Sequence, residues 1–411
     1  MKIFNSLKII FLPIYFISFL FPRKKKIWLF GSTFGSRFAD NPKYFFLYVS
    51  NLENTEIKPI WISKNKNIIN ELKKKGYNAY YVYSLKGLFY CAIGKIYIFD
   101  NYSKDIFFWL SGNAKKINLW HGIPLKKINH DNIFDKIRNP DKKIHKLKNI
   151  LRYFQDEKPN HFILSTSENI SKFFVSAFKV NEKNVINTGY PRNDSLFDYN
   201  NYMLEFDNEF IFKINQISKN RKIIFYMPTF RNSEYKIFDL VNFSDFNNFL
   251  IENNLILLIK VHPKSLIKKE FENVKYENIL IIDSNQDPYP LLKITDILIT
   301  DYSSIYFDFL LLDKPILFNN VDFQYYNENQ RGFMIQPYDI WTAGPKIQNQ
   351  ENLQKEIINL IKDKNYFFKE RQFIKKICHK YEDGNSSKRI WDFIDEFLSS
   401  LLNTEENNEK I

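Results

Sequence analysis

Short apolar runs rich in β-branched and aromatic residues recur along this chain, separated by stretches with helical spacing, and the alternation stops once and starts again. The runs "IWLF" (27–30), "KPIWIS" (58–63), "AYYVY" (79–83), "KIYIFD" (95–100), "KKINLW" (115–120), "HFILST" (161–166) and "NVINTG" (184–189) predict a first set of strands, with helices such as 65–75 and 167–178 between them. Strands this apolar need cover on both faces, which calls for parallel pairing with helical crossovers. Residues 196–220 turn polar and read as an irregular connection. The pattern then resumes at "KIIFYMP" (222–228), "LILLIKV" (255–261), "ILIID" (279–283), "DILITD" (296–301) and "PILFN" (315–319), with helices near 244–252, 264–272, 287–294 and 303–312. A restart of this kind predicts two doubly wound α/β domains, followed by a helical C-terminal region that includes 388–402 and a frayed tail.

A chain of 411 residues, 45% hydrophobic, has enough apolar surface for two cores. The expected division is an apolar and basic segment over 1–26, a first domain over 27–200, a second over 215–385, and a final helix and tail over 386–411. The formal charge of +13 comes with abundant Lys, Asn and Ile, so part of it reads as compositional drift. Clustered lysines point instead to anionic partners. Cys91 and Cys378 lack the spacing of a disulfide framework or a zinc site. No nucleic-acid recognition module is visible, because the aromatic residues are spread through the apolar strands.

The one membrane signal is "IIFLPIYFISFLFP" (9–22), followed at once by "RKKK" (23–26). The run is shorter than the roughly 20 residues of a spanning helix. It also lacks the leading charge and small-residue cleavage site of a signal peptide. Two readings stand open: an interfacial anchor with its basic residues at anionic headgroups, or a first helix packed on the core. The basic, amphipathic stretch 142–154 carries the same pair of readings.

The residues that interrupt the apolar alternation fall at strand ends, where open α/β sheets bind ligands. His121-Gly122 follows the run 115–120, "GYPRND" (189–194) follows 184–188, "PTFR" (228–231) follows 222–227, His262-Pro263 follows 255–261, and "DYSS" (301–304) follows 296–300. An imidazole at such a position suits general base chemistry, and it suits a packed structural role beside Trp120 equally well. Ser303 or Ser304 can cap the next helix, leaving free N–H groups aimed at an anion; a plain cap without ligand is the alternative. Arg231 and His262 add donors suited to phosphate. There is no GxGxxG, Walker lysine loop or HExxH, which speaks against dehydrogenase, P-loop and zincin chemistry.

"WHGIPLKKI" (120–128), "GYPRNDSL" (189–196), "YMPTFR" (226–231), "KVHP" (260–263), "ITDILITDYSSIYFDF" (294–309), "KPILFNNVDFQYY" (314–326), "RGFM" (331–334) and "AGP" (343–345) occur in an order and spacing that resembles the CDP-glycerol glycerophosphotransferase family of teichoic-acid and capsule enzymes. The resemblance spans about residues 115–360. It implies a GT-B-like fold of two Rossmann-type domains facing a cleft, acceptor side first and CDP-donor side second. It also implies transfer of a polyol phosphate, glycerol phosphate above all, to a hydroxyl of a lipid-linked or growing surface polymer with release of CMP. His121 looks like the base and His262 like a second catalytic histidine on the donor side. Substrate contacts are implied at Gly122, Lys126, Arg192, Asp194, Arg231, Thr300, Asp301, Ser303, Ser304, Arg331 and Gly332. Ile123 stands where the family usually has Thr. No protein metal site is implied, although Mg2+ can accompany the donor pyrophosphate. The expected location is peripheral, on the cytoplasmic face of the membrane. A nucleotide-sugar glycosyltransferase of the same architecture is the rival reading, separable by the nucleotide released.

Overall fold

The computed structural model describes residues 8–135, 138, 139, 150, 152, 154, 155, 161–198, 205–229, 241–260, 276–329 and 331–408. They fall into two compact units, each built on one parallel sheet. The first comprises the described residues of 1–121, 135–202 and 380–411; the second comprises those of 122–134 and 203–379.

The first sheet holds β1 (Lys24–Phe30), β2 (Lys58–Ser63), β3 (Ala79–Tyr81), β4 (Gly94–Phe99), β5 (Lys115–Asn118), β6 (Phe162–Ser165) and β7 (Val185–Asn187), in the order β3-β2-β1-β4-β5-β6-β7. Every pairing is parallel. All of β4 is buried, as a central strand covered on both faces must be. The helix Asp40–Ser50 is nearly all buried too. Its Phe46 ring meets Phe30 at 5.4 Å and Trp61 at 5.6 Å, edge to face, which fixes the helix against β1 and β2.

The second sheet holds β8 (Lys222–Met227), β9 (Leu255–Ile259), β10 (Ile279–Ile281), β11 (Ile297–Thr300), β12 (Ile316–Asn319) and β13 (Lys346–Ile347), again all parallel, in the order β10-β9-β8-β11-β12-β13. Its core joins Ile224, Leu257, Ile299 and Leu317 to Phe246 and Leu250 of the helix Phe243–Glu252 and to Leu353 and Ile357 of the helix Gln350–Lys362. In both sheets the strand order reverses direction beside the first strand, between β1 and β4 and between β8 and β11. Those switch points are where a doubly wound sheet opens a crevice at its strand ends.

Three expectations need correction. The polar stretch 196–220 contains the helix Glu205–Ser218, which buries Ile211 and Ile214. Of the basic run 23–26, Arg23 is not a free surface charge, whereas Lys24 and Lys26 are exposed. Lys24–Lys26 open β1, and Arg23 is a half-buried clamp donating to the carbonyls of Cys91 (3.0 Å), Gly94 (3.2 Å), Ser18 (3.2 Å) and Leu110 (2.7 Å). The C-terminal helix, Ser386–Asn408, belongs to the first unit rather than standing apart.

Candidate active site

In the first unit the chain leaves β5 at Asn118, and Trp120 takes a left-handed backbone (φ +53°) that turns His121 back toward the end of β4. The imidazole Nδ1 lies 2.9 Å from the backbone carbonyl oxygen of Asp100, and the ring lies 4.2 Å from the indole of Trp120. A carbonyl only accepts, so Nδ1 carries a proton and the neutral ring keeps its lone pair on Nε2. Gly122 follows at φ +135°, which an L side chain rarely adopts.

Behind this turn stand two buried carboxylates at the β1/β4 switch point. Asp100 accepts from Ser32 Oγ (2.6 Å), the Thr33 N–H (3.1 Å) and Asn101 Nδ2 (2.6 Å). Asp105 accepts from the N–H groups of Phe34 (2.8 Å), Asn101 (2.8 Å) and Tyr102 (3.2 Å). Burial, and then the charge of Asp40, raises the carboxyl of Asp100; burial, and then Asp100, raises that of Asp105 further. The backbone carbonyls of the turn are held from elsewhere in the unit. Asn41 Nδ2 donates to Leu119 O (3.2 Å) and Trp120 O (2.8 Å), and Arg192 Nη1 donates to His121 O (3.0 Å) and to Asp40 Oδ1 (2.8 Å).

Two expected substrate contacts, Arg192 and Asp194, are buried with partners inside the protein. Arg192 is 4% exposed, and Nη1 of the head group that reads in sequence as a phosphate ligand donates to Asp40 and to the carbonyl of His121. Asp194 is fully buried, accepting from the N–H groups of Ser386 (2.9 Å) and Ser387 (2.7 Å), so it caps the C-terminal helix. Its burial pushes the carboxyl up to about 6 against the pull of those donors. Asp40, Asn41, Asp100 and Asp105 went unnoticed in the sequence. The available signal for Asp100 was a carboxylate closing an otherwise apolar strand.

In the second unit Asp301 is fully buried, and both its oxygens accept from the Thr229 N–H (2.9 and 3.0 Å), joining the ends of β8 and β11 across the switch point. The Thr300 hydroxyl donates to Met227 O (3.1 Å) and is buried, so as a side chain it braces β8 rather than facing a substrate. Ser303 and Ser304 are half-buried. Ser304 occupies the N-cap of Ile305–Phe309 without a side-chain cap bond, and Ser303 Oγ lies 3.5 Å from the Ile305 N–H. The helix expected over 303–312 is therefore only five residues, continued by the 3₁₀ turn Leu310–Leu312. Arg231 and His262 lie outside the described residues.

The segment after His121 pairs with "RGFM" within the second unit: Lys127 N–H donates to Gly332 O (3.1 Å) and Met334 N–H to Leu125 O (2.9 Å). Lys126 Nζ lies 5.8 Å from the Tyr326 ring centre. Lys127, Arg331, Gly332, Ile133 and Phe134 border a cavity of about 360 Å3. Gly332 sits at φ +68°, with no atom closer than 3.9 Å to where a Cβ would stand. Among the described residues no three His, Cys, Asp or Glu side chains come together to hold a metal ion, and both cysteines are buried free thiols.

Comparison with known proteins supplies the context for this geometry. Residues 13–396 match the family described as CDP-Glycerol:Poly(glycerophosphate) glycerophosphotransferase. The chain is 31% identical over 415 residues to the teichoic acid poly(glycerol phosphate) polymerase of Bacillus spizizenii, covering 95% of this chain and 98% of that one. It is 28% identical to the teichoic acid glycerol-phosphate transferase of Staphylococcus aureus over 387 residues, 90% of this chain and 92% of the relative. A structure of a histidine-to-asparagine variant of the wall teichoic acid polymerase TagF, soaked with CDPG, superposes with a TM-score of 0.75 at 25% identity, covering 98% of this chain and 97% of the chain in that structure.

Proposed function

Because the chain belongs to the CDP-glycerol:poly(glycerophosphate) glycerophosphotransferase family, we propose a mechanism in which His121 is the base of polyol phosphate transfer in teichoic acid synthesis. The observation that carries it is the bond between His121 Nδ1 and the Asp100 carbonyl, which leaves Nε2 as the proton acceptor. The acceptor hydroxyl gives its proton to Nε2 as its oxygen bonds to the polyol-bearing phosphorus of the CDP conjugate. The bond from that phosphorus to the bridging oxygen breaks, and CMP leaves. The imidazolium formed keeps its Nδ1–H on the Asp100 carbonyl. No covalent enzyme intermediate is needed, so catalysis rests on positioning and charge stabilisation.

Donor chemistry is assigned to the second unit. Ser303 and Ser304 offer hydroxyls at the end of β11, and Asp301 holds that loop against Thr229. Arg231 and His262 are carried as donor-side residues by motif alone. Lys127, Arg331 and Gly332 border the groove described above, and they are assigned, with Lys126 beside Tyr326, to the phosphates of the polymer. Mg2+, where used, enters with the donor pyrophosphate. The strand order of the two sheets supports a GT-B-like architecture.

The N-terminal segment is assigned to the membrane surface, on the cytoplasmic side where a lipid-linked acceptor would be met. Its helix Leu12–Ile17 packs Tyr15 on Phe108 with ring centres 4.4 Å apart, yet leaves Ile10 (67% exposed), Phe11, Phe16, Ile17 and Leu20 (82% exposed) facing outward. No helix of the described residues is long and apolar enough to cross a membrane. Cosedimentation with anionic vesicles should fall sharply for Ile10→Glu/Leu20→Glu; unchanged binding contradicts the assignment. For the reaction, the test is nucleotide release from a panel of CDP-glycerol, CDP-ribitol and nucleotide sugars with a phosphopolyol primer. CMP from a CDP-polyol supports the proposal, and a nucleoside diphosphate from a nucleotide sugar refutes it.

A further inference from the structure

We propose that Asn41, acting with the Asp40–Arg192 ion pair, is a positioning residue that holds the His121 turn in its reactive shape; the proposal rests on the reading of His121 as the base. Three successive carbonyls, those of Leu119, Trp120 and His121, are each held by a side-chain donor from another element. Asn41 is completely buried, and its whole amide is committed: Nδ2 donates to the first two carbonyls, and Oδ1 accepts the backbone N–H of Arg192 at 3.2 Å. Arg192 takes the third carbonyl and is itself oriented by Asp40, whose Oδ1 also accepts the Asn41 N–H at 2.8 Å. These carbonyls stand at a strand exit, where water ordinarily serves them.

The backbone explains why water would not suffice. Trp120 at φ +53° and Asp40 at φ +61° both occupy the left-handed region, which non-glycine residues keep only where their surroundings over-determine it. The imidazole is restrained from its ring side by the Asp100 carbonyl and the Trp120 face. Asn41 and Arg192 supply the other half of the restraint, from the backbone side. Asn41 comes from the start of the helix Asp40–Ser50, which the aromatic packing of Phe46 locks to the sheet. A catalytic group gains most from a support of this kind, since a displacement of about 1 Å can cost on the order of 100-fold in rate.

The test is a double-mutant cycle read by CMP release from CDP-glycerol onto a phosphopolyol primer, using the full chain. Asn41→Ala should lower kcat by roughly 10- to 100-fold, with KM for CDP-glycerol unchanged. In a His121→Ala background the same substitution should cost less than about twofold more, because a positioning residue has nothing left to position. Arg192→Lys, which keeps a charge for Asp40 but loses the planar fork, should show the same pattern with a smaller drop, and it serves if Asn41→Ala fails to fold. Equal losses in both backgrounds, or full kcat in both single variants, overturn the proposal. His121→Ala turning over at the wild-type rate overturns the base assignment itself, an outcome distinct from a failed clamp, which leaves His121→Ala slow.

Discussion

Replacing Asp194 by asparagine should change how stability depends on pH, with a sign set by burial. The carboxyl is fully buried and raised to about 6, although it accepts two backbone N–H bonds at the start of the C-terminal helix. An unfolded Asp titrates near 3.9, so the folded state holds this proton more tightly and unfolding releases it between about pH 4 and 6. Stability from this group is present in full below pH 4 and is lost as pH rises through 6. A rise of this size corresponds to about 3 kcal/mol. The amide introduced by Asp194→Asn does not titrate, and its NH2 group opposes one of the two donors, a roughly pH-independent cost of about 1–3 kcal/mol. The stability advantage of wild type over Asp194→Asn should therefore shrink by about 3 kcal/mol between pH 4 and 7. In urea, at about 2 kcal/mol per M, that is a closing of the midpoint gap by roughly 1.5 M. Asp100 and Asp105 are raised in the same direction and cancel in the comparison. A gap that stays constant or widens with pH would show that the two N–H donors outweigh burial, and would refute the reasoning.

Other perturbations test the remaining framework. Arg23→Ala strips donors from the carbonyls of Cys91, Gly94, Ser18 and Leu110; it should cost about 2–4 kcal/mol and speed limited proteolysis within residues 8–20, whereas unaltered cutting would speak against the clamp. Gly112→Ala would place a Cβ 2.5 Å from Ser18 Oγ and from the Phe19 ring, so a loss of about 1–3 kcal/mol in thermal unfolding is expected. Lys127→Glu/Arg331→Glu should raise KM for a phosphopolyol primer at least tenfold while KM for CDP-glycerol holds; equal shifts in both would remove the groove from the acceptor path.

The two sheets were legible because their strands are continuous apolar runs, and the His121 turn was legible because histidine, glycine and proline end such a run abruptly. Other features were hidden by the residue types that carry them. Lys24–Lys26 disguise the first half of β1, whose buried residues begin at Ile27. Acidic and amide side chains hide the helix Glu205–Ser218, whose apolar face rests on few residues such as Ile211 and Ile214. Arg192 and Asp194 read as ligand groups because charge near a strand end usually faces solvent. The fold instead spends one on Asp40 and the other on a helix separated from it by 192 residues. The Asn41 clamp was out of reach for the same reason: its partners lie 78 to 151 residues away, and local pattern carries no trace of such a pairing.

The most direct test of the account is CMP release by wild type and by His121→Ala, with CDP-glycerol supplied with and without primer. Wild type should release CMP only when both substrates are present. His121→Ala should remain folded and fall by about 10²- to 10⁴-fold, the usual range for loss of a general base. Near-normal turnover in a folded His121→Ala protein would contradict the central claim.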